Sequence, residues 1–273
     1  MMMMITNLLS LVFFALILYS SFSFVSVFGN LCDHDFNYKK GDSRGPENWG
    51  NIKPEWKICG SGKLQSPINL LSKGVQELSD PGKLQVKYNL APAVLQKRSH
   101  DVKIQWNGDG GNLIINENQY KLLQCHWHSP AEHTLNETKF DLELHAVHKN
   151  TKGEIAVIGV LYKIGIPDPF LAKILDKIKS IGDKERDLGL INPRDIKLGS
   201  KKYFRYYGSL TAPPCTEGVI WTILKKVRTV SMEQLKALKG AVSQGFEENA
   251  RPLQCDGGRP VYSCTLKDEK IVM

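Results

Sequence analysis

Two histidines separated by one residue constrain the fold and the chemistry of this chain more than any other feature. His126 and His128 lie in the segment QCHWHSPAEHTLN, which also holds Glu132 and His133, whereas all 273 residues contain only seven histidines. Side chains two residues apart point to the same face of a β-strand but diverge on a helix. The spacing therefore predicts a strand that presents both imidazoles on one face.

A second segment, FDLELHAVHKN, repeats this period of two. His145 shares one face with Glu143, and the opposite face is apolar. If the two segments form neighbouring antiparallel strands, His145 lies across from the other two histidines, with Cβ atoms about 5 Å apart. Three converging imidazoles leave one open position on a tetrahedral zinc ion, which is typical of a catalytic site rather than a structural one.

Acceptors for the outer nitrogens of these imidazoles are present on the same faces. Gln124 precedes His126 by two residues, and Glu143 precedes His145 by two. A metal-bound imidazole needs such a partner for its other N–H group. Buried histidines that are satisfied by these side chains without a metal are the structural alternative, but the third histidine on a matching strand favours the metal site.

Turn-forming residues recur every ten to fifteen positions along the chain. NGDGG at 107–111 separates DVKIQW from GNLIIN and predicts a β-hairpin. Apolar spacing predicts a helix at 168–180 and another at SMEQLKALKGAV, which opens with a capping box of Ser231 and Gln234. Many strands and few helices predict a mixed α/β, mainly β fold, with a large sheet and helices on its outside.

The first 29 residues differ from the rest because they contain no charged side chain and have an apolar centre near Leu8 to Tyr19. This pattern predicts a secretory signal peptide over 1–29 and one domain over 30–273. A signal anchor is the alternative, since the apolar stretch could nearly span a bilayer. Six cysteines and the N-glycosylation acceptor at Asn136 also fit export.

The net charge of +8 comes from scattered lysines. It predicts a solvated basic surface. Nucleic-acid binding is excluded, because there is no basic stripe interleaved with aromatic residues and no known nucleic-acid module.

Five segments together resemble the α-class carbonic anhydrases, most closely their secreted plant members. They are QSPINL, QCHWHSPAEHTLN, FDLELHAVH, GSLTAPPCTEGVIWTI and ENARPLQ, and the resemblance spans about 36–262. It implies a twisted, mostly antiparallel central sheet and a zinc enzyme that hydrates CO2 reversibly to bicarbonate and a proton by zinc-bound hydroxide. It also implies inhibition by sulfonamide-type anions and a monomer or homodimer.

The resemblance assigns roles to matching residues of this sequence. The zinc ligands are His126, His128 and His145, and the acceptors behind them are Gln124, Glu143 and the backbone carbonyl of Asn249. Thr211 matches the threonine that donates to a buried glutamate, Glu132, and orients the hydroxide, while His100 matches the proton shuttle. The substrate-binding positions are Val147, Val157, Leu210, Thr211, Ala212 and Trp221.

Two positions depart from the family pattern. Ala212 stands where many members have a second threonine, so a hydroxyl near the bicarbonate is lost without abolishing hydration. Arg98 and Ser99 precede the shuttle in place of the asparagine–glycine pair of animal relatives. His133 and His148 are predicted to be structural residues.

The resemblance also implies a disulfide between Cys59 and Cys215. Cys125 is predicted to be a buried free thiol because it lies on the strand face away from the metal. Cys255 and Cys264 enclose a short loop and could pair, in which case Cys32 is free or links chains.

A storage or binding protein on the same scaffold, with weak or no hydratase activity, is the competing function, because fold does not dictate function. Degenerate members usually lose a ligand or the threonine–glutamate pair, and this chain keeps both Thr211 and Glu132. The sequence therefore favours an active enzyme in the secretory pathway, secreted or apoplastic, with plastids as the alternative that some plant relatives illustrate.

Overall fold

A computed structural model of the protein describes residues 35–72, 75–78, 84–183, 185–197 and 202–265. The predicted signal peptide and Cys32 lie outside these residues. Within them, no helix has both the length and the apolar character needed to cross a membrane.

Helices are few and short in the described part of the chain, and both predicted helices are confirmed. The α-helices are α1 (Trp49–Ile52), α2 (Ile58–Ser61), α3 (Pro169–Lys179) and α4 (Met232–Ala241), and the 3-10 turns are Pro54–Trp56 and Pro193–Ile196. Asp168 begins α3 by accepting hydrogen bonds from the N–H groups of Phe170 and Leu171. The capping box of Ser231 and Gln234 begins α4. These caps satisfy amide groups that the helices themselves leave without partners.

Strands make up most of the regular secondary structure in the described residues. They are β1 (Asn69–Leu70), β2 (Gln76–Leu78), β3 (Leu84–Tyr88), β4 (Ala91–Lys97), β5 (Val102–Trp106), β6 (Gly111–Ile115), β7 (Asn118–His128), β8 (Thr134–Leu135), β9 (Leu142–Lys149), β10 (Ile155–Ile164), β11 (Arg186–Ile191), β12 (Lys202–Ser209), β13 (Glu217–Leu224), β14 (Arg228–Val230) and β15 (Tyr262–Thr265).

Thirteen of the strands in the described residues form one sheet. Its main order is β11-β4-β5-β7-β9-β10-β13-β12-β15-β2, with β6 on β7, β3 on β6 and β14 on β10. The pairs β10–β13, β10–β14 and β15–β2 are parallel, and the other pairs of this sheet are antiparallel. The predicted fold class, mainly β with a large, mostly antiparallel sheet, is confirmed.

The predicted hairpin at 107–111 is wrong. β5 and β6 do not pair with each other; both pair with β7, residues 103–105 against 124–126 and residues 112–115 against 118–121. The reason is the length of β7, whose 11 residues accommodate two antiparallel partners in succession. The tight turn lies instead between β6 and β7, where Asn116 and Glu117 have φ of 47° and 69°, as a two-residue type I′ turn requires.

Alternation along β7 and β9 separates the core from the histidine face. Cys125, Trp127 and Leu144 belong to the larger buried core. His148 also lies on that side, fully buried, and its Nε2 is 2.7 Å from the hydroxyl oxygen of Tyr88. The structural role predicted for His148 therefore agrees with its position.

The cysteines follow the predictions only in part. Cys59 and Cys215 form a disulfide across a sequence separation of 156 residues, and Cys125 is free and buried. The suggested pairing of Cys255 with Cys264 is wrong, because both are free. Cys264 lies in β15 with its side chain in the larger core, whereas Cys255 is exposed.

Candidate metal centre

The two histidine-bearing strands are direct neighbours. β7 and β9 are antiparallel, with His126 opposite His145 and His128 opposite Glu143. A register shift between Leu122 and Gln124 precedes this pairing. The three histidines predicted to converge are thus brought together on one face of the sheet.

Each of these imidazoles has one nitrogen fixed by an acceptor. The bonds are His126 Nδ1 to Gln124 Oε1 at 2.9 Å, His128 Nδ1 to the Asn249 carbonyl at 2.7 Å, and His145 Nε2 to Glu143 Oε1 at 2.8 Å. Because a neutral imidazole has one proton, each donated hydrogen bond leaves a lone pair on the opposite nitrogen. Those lone pairs are on Nε2 of His126 and His128 and on Nδ1 of His145.

The residues fit a zinc ion. One nitrogen from each imidazole lies within 4.8 Å of the other two. His128 Nε2 is buried and has no hydrogen-bond partner among the described residues, which is costly for a polar atom unless a ligand satisfies it. Three neutral nitrogen donors form a donor set that zinc prefers and leave its fourth position open.

The protonation of the imidazoles also suits metal binding, which requires neutral rings. Burial lowers the pKa of His126 well below its usual value, and Asp101 opposes this shift only in part. Burial likewise lowers the pKa of His145, against the opposing effect of Glu143. At neutral pH both rings are therefore uncharged, and each keeps a nitrogen lone pair that can bind a metal.

Glu143 is fully engaged in hydrogen bonds behind His145. Its Oε1 also accepts from His133 Nδ1 at 2.7 Å, and its Oε2 accepts from the backbone N–H groups of Glu132 and His133 at 2.8 Å each. Burial alone would raise the pKa of Glu143, but His133 and His145 hold it well below its usual range. His133, Glu143 and His145 also have ligand atoms close together, yet hydrogen bonds account for this second cluster.

A cavity of about 290 Å³ lies over the three imidazoles. Its lining contains every residue that the sequence predicts to bind substrate: Val147, Val157, Leu210, Thr211, Ala212 and Trp221. Ile155 and Pro213 complete this mainly apolar side, and the sequence analysis did not identify them. Arg98, His100, Asp101 and Gln124 line the cavity as well, so one side is polar and the other is suited to a small apolar molecule.

Glu132 is buried beside the metal ligands. Its Oε1 accepts from the N–H group of Arg251 at 2.9 Å, and its Oε2 lies 4.0 Å from His145 Nδ1. Oε2 has no hydrogen-bond partner among the described residues. The structure thus lacks the hydrogen bond expected from Thr211 to Glu132, although it places Thr211 in the lining of the cavity and leaves the carboxylate an unused acceptor.

His100 lies on the polar side of the cavity with 19% of its side chain exposed. Its ring centroid is 5.3 Å from that of Phe36 and 6.5 Å from that of Phe246. Its Nε2 lies 3.7 Å from Asp101 Oδ2, and Arg98 Nε donates to Asp101 Oδ1 at 2.6 Å. The pairing of the half-buried Arg98 with the buried Asp101 beside the shuttle candidate was not anticipated from the sequence.

Asn249 connects the shuttle candidate to His128. Its backbone carbonyl accepts from His128, and its side-chain amide donates to the carbonyl of His100 at 2.6 Å. Its Oδ1 accepts from the N–H group of Ser129 at 2.8 Å. One asparagine therefore holds the end of β7 next to the segment that carries His100.

Comparison with known proteins agrees with this architecture. The sequence pattern of the eukaryotic-type carbonic anhydrase family matches residues 44–265. Alpha carbonic anhydrase 4 of Arabidopsis thaliana is 48% identical over 260 residues, which cover 94% of this chain and 97% of that protein.

Two solved structures extend the similarity. A crystal structure of dioscorin complexed with ascorbate superposes with a TM-score of 0.83 and 41% identity, covering 86% of this chain and 99% of that one. The α-carbonic anhydrase of Thermovibrio ammonificans in complex with the inhibitor sulfanilamide gives a TM-score of 0.75 and 33% identity, with coverages of 83% and 98%. The chain therefore belongs to the eukaryotic-type carbonic anhydrase family, the carbonate dehydratases of the α class.

Proposed function

We propose that this protein hydrates CO2 reversibly to bicarbonate and a proton at a zinc ion held by His126, His128 and His145. The observation that carries this proposal is the triad of imidazoles, with His128 and His145 buried and His126 half-buried, each fixed by an outer acceptor. His128 Nε2 lacks a partner among the described residues. Zinc lowers the pKa of coordinated water to about 7, an effect for which carbonic anhydrases are the standard example, and so supplies a nucleophile at neutral pH.

The apolar side of the cavity holds CO2 without competing hydrogen bonds. Val147, Val157 and Leu210 offer only aliphatic surface there. The indole N–H of Trp221 is not available to the substrate, because it donates to the carbonyl of Ser209 at 2.9 Å. A small molecule without hydrogen-bond donors is therefore held by shape and apolar contact next to the nucleophile.

Thr211 and Glu132 orient the nucleophile. The Thr211 hydroxyl has a single proton, and the unused Oε2 of the buried Glu132 is available as the acceptor that we propose for it. The Thr211 oxygen then accepts a hydrogen bond from the attacking water. This bond turns the lone pair of the water toward the apolar wall. This contribution is orientation rather than acid catalysis.

Metal removal tests the proposed reaction. Purified protein without its signal peptide is expected to contain one zinc ion per chain by elemental analysis and to hydrate CO2 in a stopped-flow assay. A zinc chelator should remove metal and activity together, and added zinc should restore both, because the nucleophile forms only on the metal. A folded protein that hydrates CO2 equally well after its zinc has been removed would refute the proposal.

His100 is the proposed proton shuttle, since an imidazole with a pKa near neutrality suits this relay. His100→Ala is expected to lower kcat about 10-fold or more in weak buffer, with kcat/KM for CO2 little changed, because proton export follows the hydration step. Added imidazole should restore part of kcat. An unchanged kcat in weak buffer would assign the shuttle elsewhere.

A storage or binding role is the second candidate, favoured by the likeness to dioscorin. It predicts a folded protein with weak or no CO2 hydration in the same measurements. Sulfonamide-type anions are proposed as inhibitors, since the relative solved with sulfanilamide shares this fold.

The oligomeric state, monomer or homodimer, stays a prediction.

Export is proposed from three features. The sequence begins with the apolar, uncharged segment 1–29, and the Cys59–Cys215 disulfide is typical of oxidising compartments. Asn136 lies exposed on a turn, which places its side chain on the surface for glycosylation, and its amide nitrogen donates to Ser72 Oγ at 2.9 Å in the folded chain. The proposed destination is secreted or apoplastic, with plastids as the alternative.

A further inference from the structure

A continuous chain of buried hydrogen bonds extends behind the candidate metal site. Beyond Glu143, His133 Nε2 lies 2.6 Å from the hydroxyl oxygen of Tyr206, and that oxygen lies 2.9 Å from Ser66 Oγ. Ser66, His133, Glu143 and Tyr206 are all fully buried. Neither Tyr206 nor Ser66 lines the cavity over the imidazoles, so neither side chain is placed to touch substrate.

The direction of each bond follows from the donors and acceptors available. The Glu143 carboxylate accepts only, so His133 donates from Nδ1 and its Nε2 has the lone pair. Tyr206 must therefore donate to His133 and accept from the Ser66 hydroxyl. Ser66 Oγ in turn accepts from the N–H group of Ser209 at 3.0 Å. All of these hydrogen bonds therefore run in one direction, with each group donating to the next from the N–H group of Ser209 to the Glu143 carboxylate.

We propose that Tyr206 and Ser66 are positioning residues for zinc. They hold His133 in the tautomer and orientation whose Nδ1–H fixes Glu143, and Glu143 in turn fixes His145 with its Nδ1 lone pair toward the metal. This inference rests on the zinc site proposed above. It assigns part of the metal affinity to two side chains that neither bind the ion nor contact a ligand directly.

The same hydroxyls also restrain the opposite wall of the cavity. Ser209 Oγ accepts from the N–H group of Ser66 at 2.9 Å and donates to the carbonyl of Leu210 at 2.7 Å. A Cβ atom at Gly208 would lie 2.1 Å from Ser66 Oγ, so this close approach requires glycine. The segment that carries Leu210 and Thr211 is thereby linked to the acceptor behind His145.

The chain contains a matched control for this network. Tyr88 and His148 form a second buried tyrosine–histidine hydrogen bond, 2.7 Å from hydroxyl oxygen to Nε2. His148 Nδ1 lies 3.3 Å from the carbonyl of Ala156 rather than beside a carboxylate. Removing the Tyr88 hydroxyl therefore deletes the same type of bond without disturbing Glu143.

The test measures the zinc dissociation constant of the mature protein by competition with a chelator. Tyr206→Phe is expected to raise it about 3–10-fold, less than the roughly 10–100-fold typical of a residue that directly supports a ligand. Tyr88→Phe is expected to leave the zinc dissociation constant within about 2-fold of the unmodified value. It should lower the melting temperature about as much as Tyr206→Phe does. Ser66→Ala is expected to shift the constant in the same direction as Tyr206→Phe, about 2–5-fold.

The outcomes separate this inference from the proposed function. Tight zinc binding and CO2 hydration in the unmodified protein, with an unchanged dissociation constant in Tyr206→Phe, would overturn only the inference. If Tyr206→Phe does not fold, Ser66→Ala is the test instead. An unchanged zinc dissociation constant in that variant overturns the inference. Equal weakening by Tyr88→Phe would also overturn it, because the effect would then be general destabilisation. Absence of zinc binding in the unmodified protein would refute the proposed function itself.

Discussion

Replacing His145 with glutamine is expected to abolish stoichiometric zinc binding and to reduce CO2 hydration by about 10³-fold or more. Glutamine keeps a polar side chain of similar length but lacks the imidazole lone pair that Nδ1 directs toward the metal. Two histidines would remain, one short of the three-protein-ligand set of catalytic zinc sites. Elemental analysis and stopped-flow hydration on the same sample measure both losses.

His148→Gln is the matched control for this variant. It makes the same chemical change three residues later on β9, at a position that is equally buried but faces the larger core. We expect a lower melting temperature, because the bond to Tyr88 is lost, with one zinc ion still bound per chain. Full metal content in the His145→Gln protein, or metal loss in both proteins, would contradict the assignment of His145.

Removing the disulfide is expected to give the largest loss of stability. The double variant Cys59→Ser, Cys215→Ser should lose about 2–5 kcal/mol, since the bridge closes a loop across 156 residues and restricts the unfolded chain. For a domain of this size, the melting temperature should fall by roughly 4–20 °C. Thermal unfolding monitored by circular dichroism measures this difference.

Cys255→Ser provides the comparison for the disulfide variant, because Cys255 is exposed and free. Its melting temperature should stay close to that of the unmodified protein, as is usual for surface substitutions. A disulfide-free protein that melts at the same temperature as the unmodified protein would show that the bridge contributes no net stability.

Local patterns were sufficient to locate the candidate ligands. The period of two predicts that His126 and His128 share one face of β7 and that His145 shares a face of β9 with Glu143, because side chains alternate along an unbroken stretch of strand. The same rule predicts the burial of Cys125. Helix caps are equally local, so Asp168 and Ser231 mark where α3 and α4 begin.

Strand pairing was less predictable because it depends on partners elsewhere in the chain. NGDGG has the composition of a hairpin turn, but β7 provides a longer partner for both flanking strands. The real turn, at Asn116 and Glu117, lacks the glycine that usually indicates a type I′ hairpin. Composition alone therefore predicted the hairpin turn at the wrong position in the chain.

Long-range polar contacts were also not predictable. Arg251 is buried and donates to Gln65 Oε1 and to the carbonyls of Ser66 and Cys59, which are 185–192 positions away in sequence. Burial lowers its pKa to about 10, yet it stays charged at neutral pH. Neither this contact nor the bond from Tyr206 to His133 has a local sequence signal, because each needs the folded sheet to bring its partners together.

The double pairing of β7 has a consequence for the donor atoms offered at the proposed metal site. A slip of β7 by one residue would turn Cys125 and Trp127 toward that site in place of the histidines. Such a slip would have to break the ladders with β5, β6 and β9 together. The Cys125 thiol is thereby kept away from the proposed metal site, which offers only imidazole nitrogens as protein donors.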